Sequence, residues 1–315
     1  MSVLSIVLPI FVLVALGYGA ARAKLLSDAA QKGIAEFAFN YAMPALLFRG
    51  IAGAGALEPG SGRIAIAYFS AVAGVWLLAS VLTPVVLRRP AIDAATIAMT
   101  SCFGNVVMIG IPLVLAVVGD AGAAPMAMLI ALHAPLLWIT GTLHQQIVAG
   151  ESGRRAQHVA IDLVRDLARN PLLIAIVAGG LWRFTGVALP AGLDSSVALL
   201  AQAGVPCAQM ALGASLTRFA IKGQVPTLSL ILVLKLLVLP VLVYVMAVHV
   251  FVLPKPAAQV ALLAAAMPAG ANAFLFAERT GRVVNSTSGA VALGTLIGAL
   301  TTTLLMANMD WLVGR

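Results

Sequence analysis

Two asparagines, a lysine and a histidine stand out because each is a polar residue inside a long apolar run. Asn105 lies in Gly104-Asn105-Val106-Val107-Met108-Ile109-Gly110-Ile111-Pro112, and Asn272 in Met267-Pro268-Ala269-Gly270-Ala271-Asn272-Ala273-Phe274. A proline cannot donate the helical hydrogen bond and a glycine adds no stiffness, so both runs are expected to break as helices, at Gly110 and Pro112 in one and at Pro268 and Gly270 in the other. A break leaves backbone N–H groups that suit an anion. An amide beside it can donate and accept, to the freed backbone or to a ligand. Asn105 and Asn272 are therefore candidate substrate contacts. Gly104, Pro268 and Gly270 shape the same site, and the Ser101 hydroxyl, with Thr100, stands just before the first break. The plainer alternative is that each amide only satisfies its own broken helix.

Lys235 joins this candidate site as a lone charge deep in an apolar span, about ten residues or ~15 Å from the nearer end at the helical rise. That is beyond easy snorkelling, and such a residue is a functional candidate by default. No Asp or Glu lies at comparable depth. The amine could pair with an anionic substrate, rest on the carbonyls of a broken helix, or lose its proton. His133 is a candidate proton relay, with hydrogen bonding to a neighbouring helix as the alternative for it and for His144 and His249. Gln202, Gln209 and Asn40 could line a crevice or bridge helices. The chain has no phosphate-loop motif and no Cys/His cluster with metal-ligand spacing, so neither a metal nor a cofactor is expected. The lack of a mid-membrane acid counts against cation exchange, since Glu36 and Glu278 fall near helix ends.

The elements that must position these residues are membrane helices. With 62% hydrophobic residues, 10% charged and a mean hydropathy of +1.05, the chain is excluded from the soluble globular class. Ten spans are expected, at 3–21, 33–53, 64–87, 94–118, 122–148, 170–186, 195–217, 225–253, 257–277 and 285–312. The first is read as a retained helix, not a signal peptide, and Cys102 and Cys207 as packing residues, not a disulfide. Pro9 and Pro171, Pro44 and Pro206, and Gly119 and Gly281 each stand 162 positions apart. With the matching span order, this offset predicts an internal duplication: a first five-helix repeat over 1–152, a linker over 153–169, and a second repeat over 170–315. Five spans per repeat is an odd number, so the second copy is inverted. Of the Lys and Arg residues outside Lys235, thirteen fall in loops on the side of the midpoint linker and five on the other. The bias places that linker in the cytoplasm and both termini outside. The net charge of +8 is thus a topology signal, and no nucleic-acid partner is expected.

Phe39 to Phe48 (FNYAMPALLF) resembles the second span of the auxin efflux carrier family, which includes the plant PIN-formed proteins. Asn105 to Leu113 (NVVMIGIPL) is similar to that family's fourth-span signature, and Met267 to Glu278 (MPAGANAFLFAE) to its ninth-span signature. The resemblance implies an all-α polytopic fold of ten helices in two inverted repeats. Broken helices 4 and 9 cross in it as in bile-acid symporters and sodium/proton antiporters. It implies an elevator mechanism, with spans 1, 2, 6 and 7 as scaffold and 3–5 and 8–10 as carrier, and a homodimer through helices 1, 2 and 7. Members export auxin in plants, and bacterial members are associated with malonate and related acids. The midpoint linker is short for a plant member, so a bacterial inner-membrane protein is expected. Where the family has a proline before the fourth-span asparagine, this chain has Gly104, which predicts a softer first break.

The reading that follows is a secondary active or facilitative transporter of small organic anions, with a malonate-like carboxylate held at the helix 4/9 crossover and the bilayer as its other partner. The alternatives are an auxin-like aromatic acid carrier, a sodium- or proton-coupled acid symporter on the same fold, an intramembrane enzyme using Ser101 with His133, and a sensor that binds its ligand without moving it.

Overall fold

The computed structural model describes residues 3–53, 61–150, 165, 168–219 and 225–314. Most of the expected linker 153–169, and the topology residues Arg154, Arg155, Lys222 and Arg315, lie outside them. The described residues are almost wholly helical: α1 (Val3–Arg22), α2 (Asp28–Phe37), α3 (Met43–Ala52), α4 (Ile64–Val85), α5 (Ala94–Cys102), α6 (Ile111–Val118), α7 (Ala123–Ala149), α8 (Pro171–Phe184), α9 (Ala191–Leu216), α10 (Val225–Val233), α11 (Leu239–Tyr244), α12 (Lys255–Ala266), α13 (Ala271–Thr280), α14 (Val284–Ala307) and α15 (Met309–Val313). Helical segments fall on each of the ten expected spans. Among the described residues, five continuous stretches are long and apolar enough by themselves to cross a membrane: Ile64–Val85, Val106–Ala149, Ala191–Leu216, Val225–Val250 and Val284–Ala307. Exposed Leu77, Val81, Leu199, Leu237, Leu300 and Leu304 give these helices the outward apolar surface that lipid requires.

Local chemistry explains where the helices start and bend. The Ser27 hydroxyl accepts from the Ala30 N–H at 3.2 Å and opens α2. The Asn170 side chain accepts from Leu172 N at 2.9 Å ahead of Pro171 and opens α8. Several prolines sit inside continuous helix without breaking it, and at three of them a wide turn shows how. Pro44, Pro112 and Pro240 each stand two residues beyond a wide π turn, at Ala38–Ala42, Val106–Gly110 and Leu234–Val238. The wider turn accommodates a ring that would clash with the carbonyl four residues back. The expectation that Gly110 and Pro112 break the fourth span is corrected accordingly: winding is continuous through both.

The chain divides into two compact units, each discontinuous in sequence. The first comprises Met1–Glu58, Val107–Ala131 and Arg165–Arg218; the second comprises Pro59–Val106, Leu132–Val164 and Phe219–Arg315. The first is built on close helix pairs with glycine at the contacts. A Cβ on Gly17 would run into the Met210 carbonyl, and one on Gly213 into the Val14 carbonyl, so α1 and α9 touch backbone to backbone. Gly179 meets Phe48 O on α3 in the same way, at 2.9 Å from its would-be Cβ. Val107–Ala131 groups with spans 1, 2, 6 and 7, where the resemblance had assigned it to the carrier. One cause is polar: Pro112 cannot donate to the Met108 carbonyl, and the buried Gln209 amide donates to it instead.

In the second unit the most buried elements are the half-helices α5 and α12. All nine residues of α5 are buried, and so are nine of the twelve in α12. The buried residues of both are small or apolar, as a helix surrounded by protein requires. Hydroxyls tie α5 to its neighbours, with Thr96 against Thr280 at 3.2 Å and Thr100 against Thr287 at 3.1 Å. Asp93, at the start of α5, is held by Arg89 at 2.9 Å and faces Arg282 at 3.6 Å.

Candidate functional site

Helix α5 stops at Cys102, and the chain runs unwound through Phe103, Gly104 and Asn105 before winding again at Val106. Helix α12 stops at Ala266, and Met267 to Gly270 are unwound before α13 begins. The two unwound segments meet antiparallel at Gly104 and Ala269. Asn105 N donates to Pro268 O at 2.8 Å, and Gly270 N donates to Phe103 O at 3.0 Å. Each segment thus supplies backbone partners that the other lost by unwinding, which is what non-helical backbone needs at membrane depth. The approach is close: a Cβ on Gly270 would stand 3.3 Å from Gly104 O.

The second break falls at Pro268 and Gly270 as their residue types predict. The first lies at Phe103–Asn105, ahead of Gly110 and Pro112, whose disturbance the π turn absorbs. Pro268 is received by a face of α14 that sequence reasoning passed over, Gly294-Thr-Leu-Ile-Gly298. A Cβ on Gly298 would lie 3.3 Å from both Cβ and Cδ of the proline ring. Two glycines four apart in an apolar helix were the available signal.

Asn105 is 9% exposed, at the crossing itself. Asn272 is exposed in the first turn of α13, next to exposed Ala271. That helix opens on Gly270 with no side-chain cap, and the first N–H groups of a helix have no intrahelical acceptor. A ten-residue helix with an uncapped N-terminus and an amide beside it is suited to a carboxylate. Ser101 is fully buried, and its hydroxyl has no hydrogen-bond partner among the described residues.

Lys235 sits in the π turn Leu234–Val238 and is 1% exposed. Its amine donates to the Ala265 carbonyl at 3.2 Å, at the C-terminal end of α12. Of the two partners open to it from sequence, an anionic substrate and the carbonyls of a broken helix, the fold provides a carbonyl. Gly104 faces the same amine, and a Cβ there would stand 3.1 Å from Nζ and 3.3 Å from Ala264 O.

His133 is 2% exposed, and its Nε2 accepts from the Gly104 N–H at 3.2 Å. Its ring packs edge-on against Phe103, with centroids 4.7 Å apart, and lies 5.9 Å from Tyr68. The histidine therefore holds the unwound segment in place. His144 accepts from Trp76 Nε1 at 3.2 Å, an interhelical bond. No group of His, Cys, Asp and Glu suited to a metal occurs among the described residues. A cleft of about 450 Å³ in the first unit, lined in part by Arg49, Asp120, Trp182 and Asp194, contains none of the candidate residues.

Comparison with known proteins gives two findings. A family model described as "Membrane transport protein" matches residues 2–306. A protein of Rhizobium meliloti (strain 1021) named "Putative malonate transporter" is 26% identical over 306 residues, covering 97% of this chain and 95% of that protein.

Proposed function

The chain belongs to the membrane transport protein family, the auxin efflux carrier family that its motifs resemble, and from that membership we propose that it carries small organic anions of the malonate type. It is an integral membrane transporter and not an enzyme. The proposed site is the crossover. One carboxylate is held by the open N–H groups of α13 and by the amides of Asn272 and Asn105, within a frame set by Gly104, Pro268 and Gly270 and closed behind by Ser101 and Lys235. The observation that carries this reading is the antiparallel meeting of two unwound segments, from which an uncapped helix N-terminus emerges beside an exposed asparagine. The choice of malonate follows the name of the Rhizobium meliloti relative.

The proposal extends to mechanism and topology. The ten spans form two inverted five-helix repeats, over 1–152 and 170–315, joined by a cytoplasmic linker in the inner membrane, and both termini face outward. The crossover moves as part of an elevator against a scaffold built on spans 1, 2, 6 and 7, through which two copies pair. In support, those four spans contribute to one compact unit and the crossover residues to another. His133 holds the first break, and a relay of protons to it is the form that proton coupling would take.

The test is uptake of radiolabelled malonate into liposomes containing the purified protein, with unlabelled short dicarboxylates, indole acetic acid and bile acids as competitors. Malonate uptake, inhibited by short dicarboxylates and not by aromatic acids, is the expected result. Inhibition by aromatic acids alone would move the assignment to an auxin-like carrier. Binding without uptake would make the protein a sensor.

A further inference from the structure

We infer that Lys235 is the resident cation of the crossover, occupying the place that a coupling sodium ion takes at the carbonyl ends of broken helices, so that the carrier moves its anion without a sodium requirement. This inference rests on the anion-transport reading above.

A membrane helix that stops in mid-span ends in carbonyl oxygens with no helical donor, at the negative end of its dipole. In transporters such half-helix ends and unwound carbonyls are where coupling cations are coordinated. Here α12 ends this way at Ala266, and the Lys235 amine donates to one of its last carbonyls, Ala265 O, at 3.2 Å. An ammonium is a compact charge with three donors, matched to a cluster of oxygens. Burying one is costly unless its charge is met. No described carboxylate meets it: the one buried acid among the described residues, Asp93, is held by Arg89 and faces Arg282. The carbonyl end of α12 is the compensation the fold supplies.

Gly104 completes the arrangement. Any side chain there would begin 3.1 Å from Nζ and 3.3 Å from Ala264 O, so the missing Cβ is what leaves room for the amine. Gly104 at this position, which the family resemblance implies would soften the break, makes space for a tethered cation that braces it. A tethered charge also differs from a bound ion in linkage: it cannot dissociate, so its contribution does not vary with sodium concentration.

The experiment compares thermal unfolding of the purified full chain in sodium chloride and in choline chloride at equal ionic strength, for the wild type, Lys235→Ala and Lys235→Met. The wild-type Tm is expected to be the same in both salts. Lys235→Ala, which leaves the carbonyl end of α12 without its donor, should unfold at a lower temperature in choline and regain part of the loss in sodium. Lys235→Met, which fills the space without charge, should show no sodium-dependent gain. A wild-type Tm that rises with sodium, or a Lys235→Ala Tm no more sodium-sensitive than wild type, would overturn the inference. If Lys235→Ala does not fold in either salt, Lys235→Val decides, since it vacates less of the space around the Ala265 carbonyl. Its Tm should likewise be higher in sodium than in choline, and a Tm no more sodium-sensitive than that of the wild type would overturn the inference. These readouts need no substrate, so failure of the wild type to bind malonate would overturn the transport reading while leaving Lys235 to be judged on its own.

Discussion

Replacing Gly298 by alanine should disturb the substrate site while leaving the fold almost as stable as before. A Cβ at Gly298 would lie 3.3, 3.3 and 3.4 Å from Cβ, Cδ and Cγ of Pro268. Comfortable carbon contacts are about 3.5–4.0 Å, so the new methyl is short by a few tenths of an ångström against three atoms at once. The proline ring has no rotamer by which to retreat, so the strain passes to the unwound backbone. Overpacking of this kind costs about 1–3 kcal/mol, here near the lower end, and a helical Gly→Ala change returns up to about 1 kcal/mol. The net change in stability should therefore stay within about 1 kcal/mol. The Pro268 carbonyl moves with its ring, and that carbonyl holds Asn105 N at 2.8 Å. If a misplacement of ~1 Å costs about a hundredfold at a positioned site, a few tenths should weaken malonate binding roughly fourfold. Gly294→Ala is the control, since its new Cβ would meet the flexible end of Leu232 at 3.2 Å and Pro268 only at 3.9 Å. Thermal unfolding and malonate titration of both variants separate the two effects. Wild-type affinity in Gly298→Ala, or an equal loss in Gly294→Ala, would refute the argument.

Gly17→Ala should destabilise the protein by about 1–2 kcal/mol, because its Cβ meets the Met210 backbone and α1 and α9 must part. Gly19→Ala, two residues along the same helix with nothing within 4 Å of its would-be Cβ, should be neutral or slightly stabilising by thermal unfolding. Asp194→Asn breaks an ion pair with Arg49 at 2.8 Å whose side chains are 38% and 47% exposed. It should leave the unfolding midpoint almost unchanged, with any difference shrinking further in high salt.

The residues show which parts of this account were legible in sequence. Pro268 followed by Gly270 marked the second break, and no π turn precedes that proline to carry the helix through it. Gly104, Gly110 and Pro112 spread the same signals over nine positions. Sequence does not say that Pro112 will be taken up by a π turn, as Pro44 and Pro240 also are. Depth and isolation singled out Lys235, but its partner is a backbone carbonyl thirty residues away and carries no side-chain signature. His133 was read as a relay candidate, and its bond to the Gly104 N–H arises from an unwound segment that only the fold defines. The grouping of Val107–Ala131 with spans 1, 2, 6 and 7 depends in part on Gln209 donating to the Met108 carbonyl, a contact across a hundred residues.

The most direct test of the central claim is a malonate titration of the purified wild type and of Asn272→Ala, with unfolding followed in parallel. A hydrogen bond to a charged group is worth about 1.5–3 kcal/mol, so the variant should bind roughly ten to a hundred times more weakly at unchanged Tm. Equal affinity in the two proteins, or no saturable binding of malonate by the wild type, would contradict the assignment of the crossover as an organic-anion site.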